Sequence, residues 1–385
     1  MKKLLPLLFL SALLLSACAG GASVPAAVPP EQSSAAPSPI NPPEPSAEPT
    51  PEPTPAPTPE PTEWVLGEES AEDILALADI ASLQRVDGSA SREYAAMLEL
   101  SRLRPDCEVT WNYEFEGKVY PSTATELKAL GLEGLEDAVR YLPALETIDV
   151  IDTPATVEDL DRLYDINPNA FYYWSFRQGG FTIRTDIRVY STLRGLNDYR
   201  YTSEELYPML KYCKHMRALD LGHNDLTDLT WLGKLTELEV LILADNPHMT
   251  DTRPLANLTH VHYLEFFMNH SVEDFSFLDS MTELEELNLC YTDHIGSMSF
   301  LGHMPKLKFL MVKYSDCSKE DFLYWQEQFP EANMVYNDGN RESCESGWRD
   351  TQKNRQIRYA FSHWRRVVEY KSFDDVTFDM ENYVY

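Results

Sequence analysis

Leu238-Glu239-Val240-Leu241-Ile242-Leu243-Ala244-Asp245-Asn246 is one of five aligned copies of a single pattern between Met216 and Ser315. Counting each copy from its first apolar residue, the fourth position holds Leu219, Leu241, Leu264, Leu287 and Leu310, at spacings of 22, 23, 23 and 23 residues. The sixth is apolar again, at Leu221, Leu243, Phe266, Leu289 and Val312, and the ninth is polar, at Asn224, Asn246, Asn269, Thr292 and Ser315. Alternation of this kind is the period of a short strand, so positions four and six enter a core. A polar ninth side chain can bond to turn backbone groups that stacked neighbours would otherwise leave unsatisfied. One copy cannot bury its apolar edge alone. The copies must stack, with one continuous core under a parallel sheet.

The rest of each copy carries apolar pairs such as Leu232/Leu235, Leu255/Leu258, Leu278/Met281 and Leu301/Met304. The pattern LxxLxLxxN resembles the leucine-rich repeat family, and these short units are similar to those of internalin-like surface proteins. The resemblance implies a brief helix or 3₁₀ turn on the convex side. A longer unit recurs at an offset of 162 residues: Leu142-Pro143-Ala144-Leu145 matches Met304-Pro305-Lys306-Leu307, and the segment from Pro168 to Trp174 matches that from Pro330 to Tyr336. A looser copy ends in Pro105-Asp106-Cys107-Glu108-Val109-Thr110-Trp111. These units read as strand, helix, proline-marked turn and second strand, and they resemble ribonuclease-inhibitor-like repeats. The expected fold is therefore an α/β leucine-rich repeat solenoid, a horseshoe with a parallel concave sheet, over residues 64–341. Gly179-Gly180 and the following Arg184 to Tyr190 predict a hairpin-like irregularity within it.

Outward from the repeats the composition changes. Of 26 prolines, fifteen lie between Pro25 and Pro61. Residues 18–63 are dominated by Pro, Glu, Ala, Ser and Thr, and read as a solvated, disordered tether with little apolar surface to bury. Before it, Lys2-Lys3 and the apolar run from Leu4 to Leu15 read as a signal peptide over residues 1–17, too short to span a bilayer. Leu15-Ser16-Ala17-Cys18 resembles the bacterial lipobox, which implies cleavage before Cys18, lipidation of its sulfur and an extracytoplasmic protein held at the cell membrane. Taken whole, the chain also resembles leucine-rich repeat lipoproteins of Gram-positive gut bacteria, through segments such as Tyr263-Leu264-Glu265-Phe266-Phe267-Met268-Asn269 and Gly347-Trp348-Arg349.

Residues 342–385 differ again. Ile357, Ala360, Phe361, Trp364 and Val368 share one helical face, and Arg355, Arg358, Arg365 and Arg366 make the segment basic. An open solenoid needs a cover, so a capping helix is expected; a basic partner-binding helix is the alternative.

The formal net charge of −30 excludes a nucleic-acid backbone as the main partner. The five cysteines after Cys18 form no CxxC motif and are expected to be buried apolar residues, with one disulfide left open. There is no HExxH, GxxxxGK or GxSxG run, and the expectation is a binding protein without enzymatic activity or cofactor. His248, His270 and His294 follow the ninth position on successive copies, with Asp225, Asp293 and Asp316 nearby. They are the weak candidates for a metal, against the simpler reading that turns tolerate His and Asp.

The binding candidate is the outward face of the strands. Tyr263, Glu265, Phe267, Met268, Asn288, Tyr291, Phe309, Met311, Lys313 and Tyr314 occupy positions that point away from the core or end the strand, whereas the first two copies place Ala218, Asp220, Gly222, Ala244 and Asp245 there. Such a set of aromatics and methionines with carboxylates suits a protein partner, as in a receptor or adhesin, or else the faces of sugar rings in a glycan or cell-wall polymer. A structural surface protein without a specific ligand is the third reading. The set can also lie beneath the C-terminal helix or the hairpin as ordinary core.

Overall fold

Each repeat contributes one three-residue strand, and the strands assemble in the frame that the leucines set. The structure, a computed structural model, describes residues 60–178, 181–192, 199–337 and 347–370, all within the unit Pro59–Tyr385. The signal peptide, Cys18 and nearly all of the tether fall outside the described residues. Strands β1 (Glu63–Val65), β2 (Arg85–Asp87) and β3 (Glu108–Thr110) form a parallel sheet, followed by an antiparallel hairpin of β4 (Asn112–Phe115) and β5 (Lys118–Pro121). The arrangement repeats with β6 (Glu126–Lys128), β7 (Thr147–Asp149) and β8 (Phe171–Tyr173), then a hairpin of β9 (Ser175–Gln178) and β10 (Phe181–Arg184). A seven-stranded parallel sheet completes the stack: β11 (Val189–Ser191), β12 (Ala218–Asp220), β13 (Val240–Ile242), β14 (Tyr263–Glu265), β15 (Glu286–Asn288), β16 (Phe309–Met311) and β17 (Asn333–Val335). Leu219, Leu241, Leu264, Leu287 and Leu310 pair in one row across it. With its parallel strands in repeat register and its row of ninth-position polar residues, the domain is an α/β leucine-rich repeat solenoid.

The return segments follow unit length. The longer units carry α-helices: α1 (Ala71–Ala76), α2 (Tyr94–Leu103), α3 (Leu135–Tyr141), α4 (Val157–Ile166), α5 (Ser203–Leu210) and α6 (Lys319–Gln328). Ser70 with Asp73 and Thr156 with Asp159 close reciprocal capping boxes at the starts of α1 and α4. The short units have fewer residues for the same return and use 3₁₀ turns at Leu232–Lys234, Arg253–Asn257, Ser276–Ser280 and Ser299–His303. Three of these turns are led in by an aspartate whose carboxylate accepts a backbone N–H two residues on, Asp228 from Thr230 at 2.8 Å, Asp251 from Arg253 at 3.1 Å and Asp274 from Ser276 at 2.9 Å.

Neighbouring turns touch at Gly233, where a Cβ would stand 2.4 Å from the Pro254 carbonyl oxygen. That atom is backbone and cannot swing aside. Gly233→Ala is therefore expected to lower stability by about 1–3 kcal/mol, read as a drop in the urea midpoint at unchanged slope.

The ninth-position residues form a buried ladder. Asn246 donates from Nδ2 to the carbonyls of Leu221 at 3.1 Å and Leu243 at 2.9 Å; Asn269 does the same to Leu243 at 3.1 Å and Phe266 at 2.9 Å. Each amide thus ties its own repeat to the preceding one. Thr292 contributes a single hydroxyl to Phe266 O at 3.2 Å. Just before the ladder, His223, Asp245, Met268, Tyr291 and Tyr314 all have positive φ, between 50° and 62°. This left-handed step at the eighth position ends the extended run of every short repeat.

Hairpin β9–β10 flanks Gly179-Gly180, where an irregularity was expected; the two glycines lie outside the described residues. Hairpin β4–β5 was not anticipated. Its turn residues Glu116 and Gly117 both have positive φ, the backbone that a two-residue hairpin loop requires. Both hairpins close in one way, a tryptophan backbone N–H donating to the hydroxyl of a residue eleven positions on: Trp111 to Ser122 Oγ at 3.2 Å and Trp174 to Thr185 Oγ1 at 2.9 Å. Cys107, Cys213, Cys290 and Cys317 are buried free thiols, and Cys344 is outside the described residues.

Candidate functional site

Positions three, five and seven of the short repeats line the concave side. The large residues there belong to β14 and β16, where Tyr263, Glu265, Phe309 and Met311 stand, and small ones to the earlier repeats, with Ala218, Gly222 and Ala244. The expectation that the large set is exposed needs correction. Tyr263, Glu265, Phe267, Asn288, Phe309, Met311 and Lys313 are all buried, and Met268, Tyr291 and Tyr314 are half-buried. The last three occupy the left-handed eighth position and so belong to the strand-end turn, where the Tyr291 and Tyr314 rings stack on each other at 4.7 Å.

What covers the face is the chain's own C-terminal segment. Residues 347–351 lead into α7 (Gln352–Tyr370), whose backbone reaches β11 and β10. The helix expected to cap the stack thus lies across the concave sheet. Trp348 is 1% exposed and packs against the rings of Tyr263 at 5.3 Å and Phe309 at 5.0 Å. Its Nε1–H donates to Glu265 Oε1 at 3.0 Å, and the Tyr263 hydroxyl donates to the same carboxylate. Asn354 Nδ2 donates to the Tyr263 hydroxyl at 2.7 Å, Lys353 Nζ to Glu285 Oε2 at 2.5 Å and Thr351 Oγ1 to Glu286 Oε2 at 3.4 Å. On the sheet-facing side of α7, Ile357 and Ala360 are buried. The basic segment therefore meets an acidic floor.

That floor makes docking depend on pH. Burial pushes the Glu286 carboxyl up to about 6 from its ordinary 4.5, against the pull of Lys353 and Thr351. Glu285 is also raised by burial, but hydrogen bonds from Lys308 and Lys353 outweigh this and hold it at about 2. A carboxyl raised in the docked state contributes most below pH 4.5 and loses that contribution as pH rises through 6. One held near 2 contributes above pH 4.5 and loses it as pH falls towards 2. Docking is therefore expected to weaken as pH rises through about 6, where Glu286 takes up its charge beneath the segment. Hydrogen exchange of α7, corrected for intrinsic rates, checks this.

The histidines do not converge. His248 Nδ1 lies 3.6 Å from Asp225 and His270 Nδ1 3.0 Å from Asp293, while His294 donates its backbone N–H to Asp316 at 2.7 Å. Each is engaged one repeat apart from the next, and among the described residues no three metal-ligating side chains are grouped. His260 and His262 stand instead in two rows of alternating acidic and basic residue types along the sheet edge, Arg217, Glu239, His262, Glu285 and Lys308 in one, His215, Glu237, His260, Glu283 and Lys306 in the other. Arg217 with Glu239, His215 with Glu237 and Lys306 with Glu283 pair within those rows.

Sequence reading missed Glu286, Asn354 and above all the seat of Trp348. The available signal was a lone tryptophan in the polar stretch Ser346-Gly347-Trp348-Arg349-Asp350, following the last strand.

No family model and no curated protein matches the sequence. Solved structures that resemble it include internalin C2 from Listeria monocytogenes, at 22% identity over 55% of this chain and 76% of that one, with a TM-score of 0.31. A second Listeria monocytogenes internalin gives 14% identity over 72% and 81% of the two chains, with a TM-score of 0.30. A Leptospira interrogans LRR protein gives 11% over 68% and 74%, with a TM-score of 0.29. The fold assignment rests on the sheet and the asparagine ladder. Among the described residues, no helix is long and apolar enough to cross a membrane.

Proposed function

We propose that this chain is a surface-held recognition protein whose concave sheet binds a protein segment built like its own residues 347–361, an aromatic anchor followed by a basic helix face. The observation that carries this reading is the seat of Trp348 between Tyr263 and Phe309 with its indole N–H on Glu265. A buried tryptophan ringed by polar pairs is the arrangement that dominates affinity in protein interfaces. The acids on the floor, Glu265, Glu285 and Glu286, favour a cationic partner. In the chain as it stands the C-terminal segment holds the place, and a partner of the same chemistry competes with it. A sugar is the weaker reading, because Tyr263 and Phe309 are covered and Tyr291 and Tyr314 face each other. The lipobox-like Leu15-Ser16-Ala17-Cys18 supports a lipid anchor outside the cytoplasm, with the proline-rich stretch giving reach.

A fluorescent peptide of residues 347–362, added in trans to the full chain, tests the reading. It is expected to bind a Trp348→Ala chain and to be excluded from the wild type, while a peptide lacking the tryptophan binds neither. Equal binding of both peptides to the variant, or of neither, would contradict it.

A further inference from the structure

The C-terminal segment fills the concave face only where that face is bulky. Over the earlier repeats, where the seventh position is Gly222 or Ala244, a cavity of about 540 Å³ remains between the strands β11 to β14 and α7. Its size falls within the roughly 300–1,000 Å³ of small-molecule sites. Ile242 and Phe267 line it from the sheet and Ile357 and Phe361 from the helix, giving it an apolar middle.

Its polar groups are unevenly satisfied. Asp220 and Glu265 both line the cavity, on strands either side of β13. Burial pushes both carboxyls up, while the charge of Arg349 draws both down. Asp220 also accepts from the Gly222 N–H at 3.0 Å and the Ser191 hydroxyl at 2.9 Å, and Glu265 from Trp348 and Tyr263. Asn354, 3% exposed, also lines the cavity; its Nδ2 is used by Tyr263, but its Oδ1 has no hydrogen-bond partner. One helical turn further, roughly 6 Å along α7, Arg358 lines the same cavity, exposed. It makes no ion pair among the described residues. The site therefore offers an acceptor-rich acidic end, an apolar middle and a cation.

We propose that this cavity binds a small zwitterion with an apolar body, a free α-amino acid with an aromatic or aliphatic side chain. Its ammonium group sits between Asp220 and Glu265, its carboxylate meets Arg358, and its side chain lies among Ile242, Phe267, Ile357 and Phe361. This is a ligand separate from the protein segment proposed above: it sits beside the docked C-terminal segment and needs that segment in place.

Calorimetric titration of the full chain with L-phenylalanine and L-leucine tests it, with 2-phenylethylamine and 3-phenylpropanoate as half-ligands. Saturable binding of an amino acid is expected, with each half-ligand weaker by about ten-fold or more. Arg358→Gln, a change at an exposed position, should weaken binding as much without moving the thermal midpoint, and Asp220→Asn should weaken it through the ammonium end. No saturable binding of either amino acid at millimolar concentration would overturn the proposal. So would half-ligands that bind as well as the amino acids, or an Arg358→Gln chain that binds like the wild type.

Discussion

Replacing Trp348 by alanine is expected to release the C-terminal segment from the concave face while leaving the repeats beneath it folded. Truncating a fully buried tryptophan removes about 3–5 kcal/mol of packing, and Trp348 is 1% exposed against two aromatic rings. The change also takes away the indole N–H from Glu265, a carboxylate 7% exposed whose remaining donors are Tyr263 and Asn354. The other attachments, Lys353 to Glu285 and Thr351 to Glu286, are single polar contacts that water can replace. The loss therefore falls on the docking of α7 and not on the ladder, whose members lie in the solenoid itself. Hydrogen exchange in α7 is expected to accelerate by about 100-fold or more, since each 1.4 kcal/mol is a factor of ten, while the asparagine-ladder repeats keep their protection. Unchanged exchange in α7 would mean that Trp348 does not hold the segment.

The second large effect belongs to the ladder. Asn246→Leu keeps the volume of a side chain that is fully buried but removes both amide hydrogens from Leu221 O and Leu243 O, and the acceptor at 3.3 Å from Leu226 N. The Leu221 and Leu243 carbonyls each keep a second donor, Asn224 Nδ2 and Asn269 Nδ2, so the loss comes from the unpaired Leu226 N–H and the two weakened inter-repeat bonds, and about 2–4 kcal/mol is expected. Because the lost bonds join adjacent repeats, urea unfolding should also broaden as the two sides of the break melt apart. Thr292→Val provides the internal comparison. Its hydroxyl donates to one carbonyl of the preceding repeat, Phe266 O, and its loss should cost about 1 kcal/mol. A loss at Asn246 no larger than at Thr292 would show that the ladder is not what couples the repeats.

The solenoid was legible because its signals are local and repeated. Leucines 22 or 23 residues apart fall into one row across β12 to β16, and the polar ninth residue sits where turn carbonyls need a donor. Proline-marked turns at Pro168 and Pro330 precede β8 and β17 as the longer units implied. Hairpin β4–β5 was missed because its signals are sparse, a single Glu116-Gly117 turn and a Trp111 to Ser122 bond spanning eleven residues; the same spacing in Trp174 and Thr185 was the repeat that went unread.

The covered face was one of two readings that the strands left open. Alternation tells which side of a strand a residue takes, but it does not tell whether a distant segment lies over that side. Tyr263 and Asn354 are 91 positions apart, and no period connects them. A size trend was present all the same: Ala218 and Val240 at the third position give way to Tyr263 and Phe309, and the bulky end of that series is where Trp348 sits.

Hydroxyl-radical footprinting of the full chain with mass spectrometry measures that cover directly. In the wild type, Tyr263, Phe309 and Met311 are expected to resist labelling while exposed Tyr207 and Tyr324 react; in Trp348→Ala the first three should become reactive and core Leu264 should not. Tyr263, Phe309 and Met311 labelled in the wild type as fast as Tyr207 and Tyr324 would contradict a concave face filled by its own C-terminal segment.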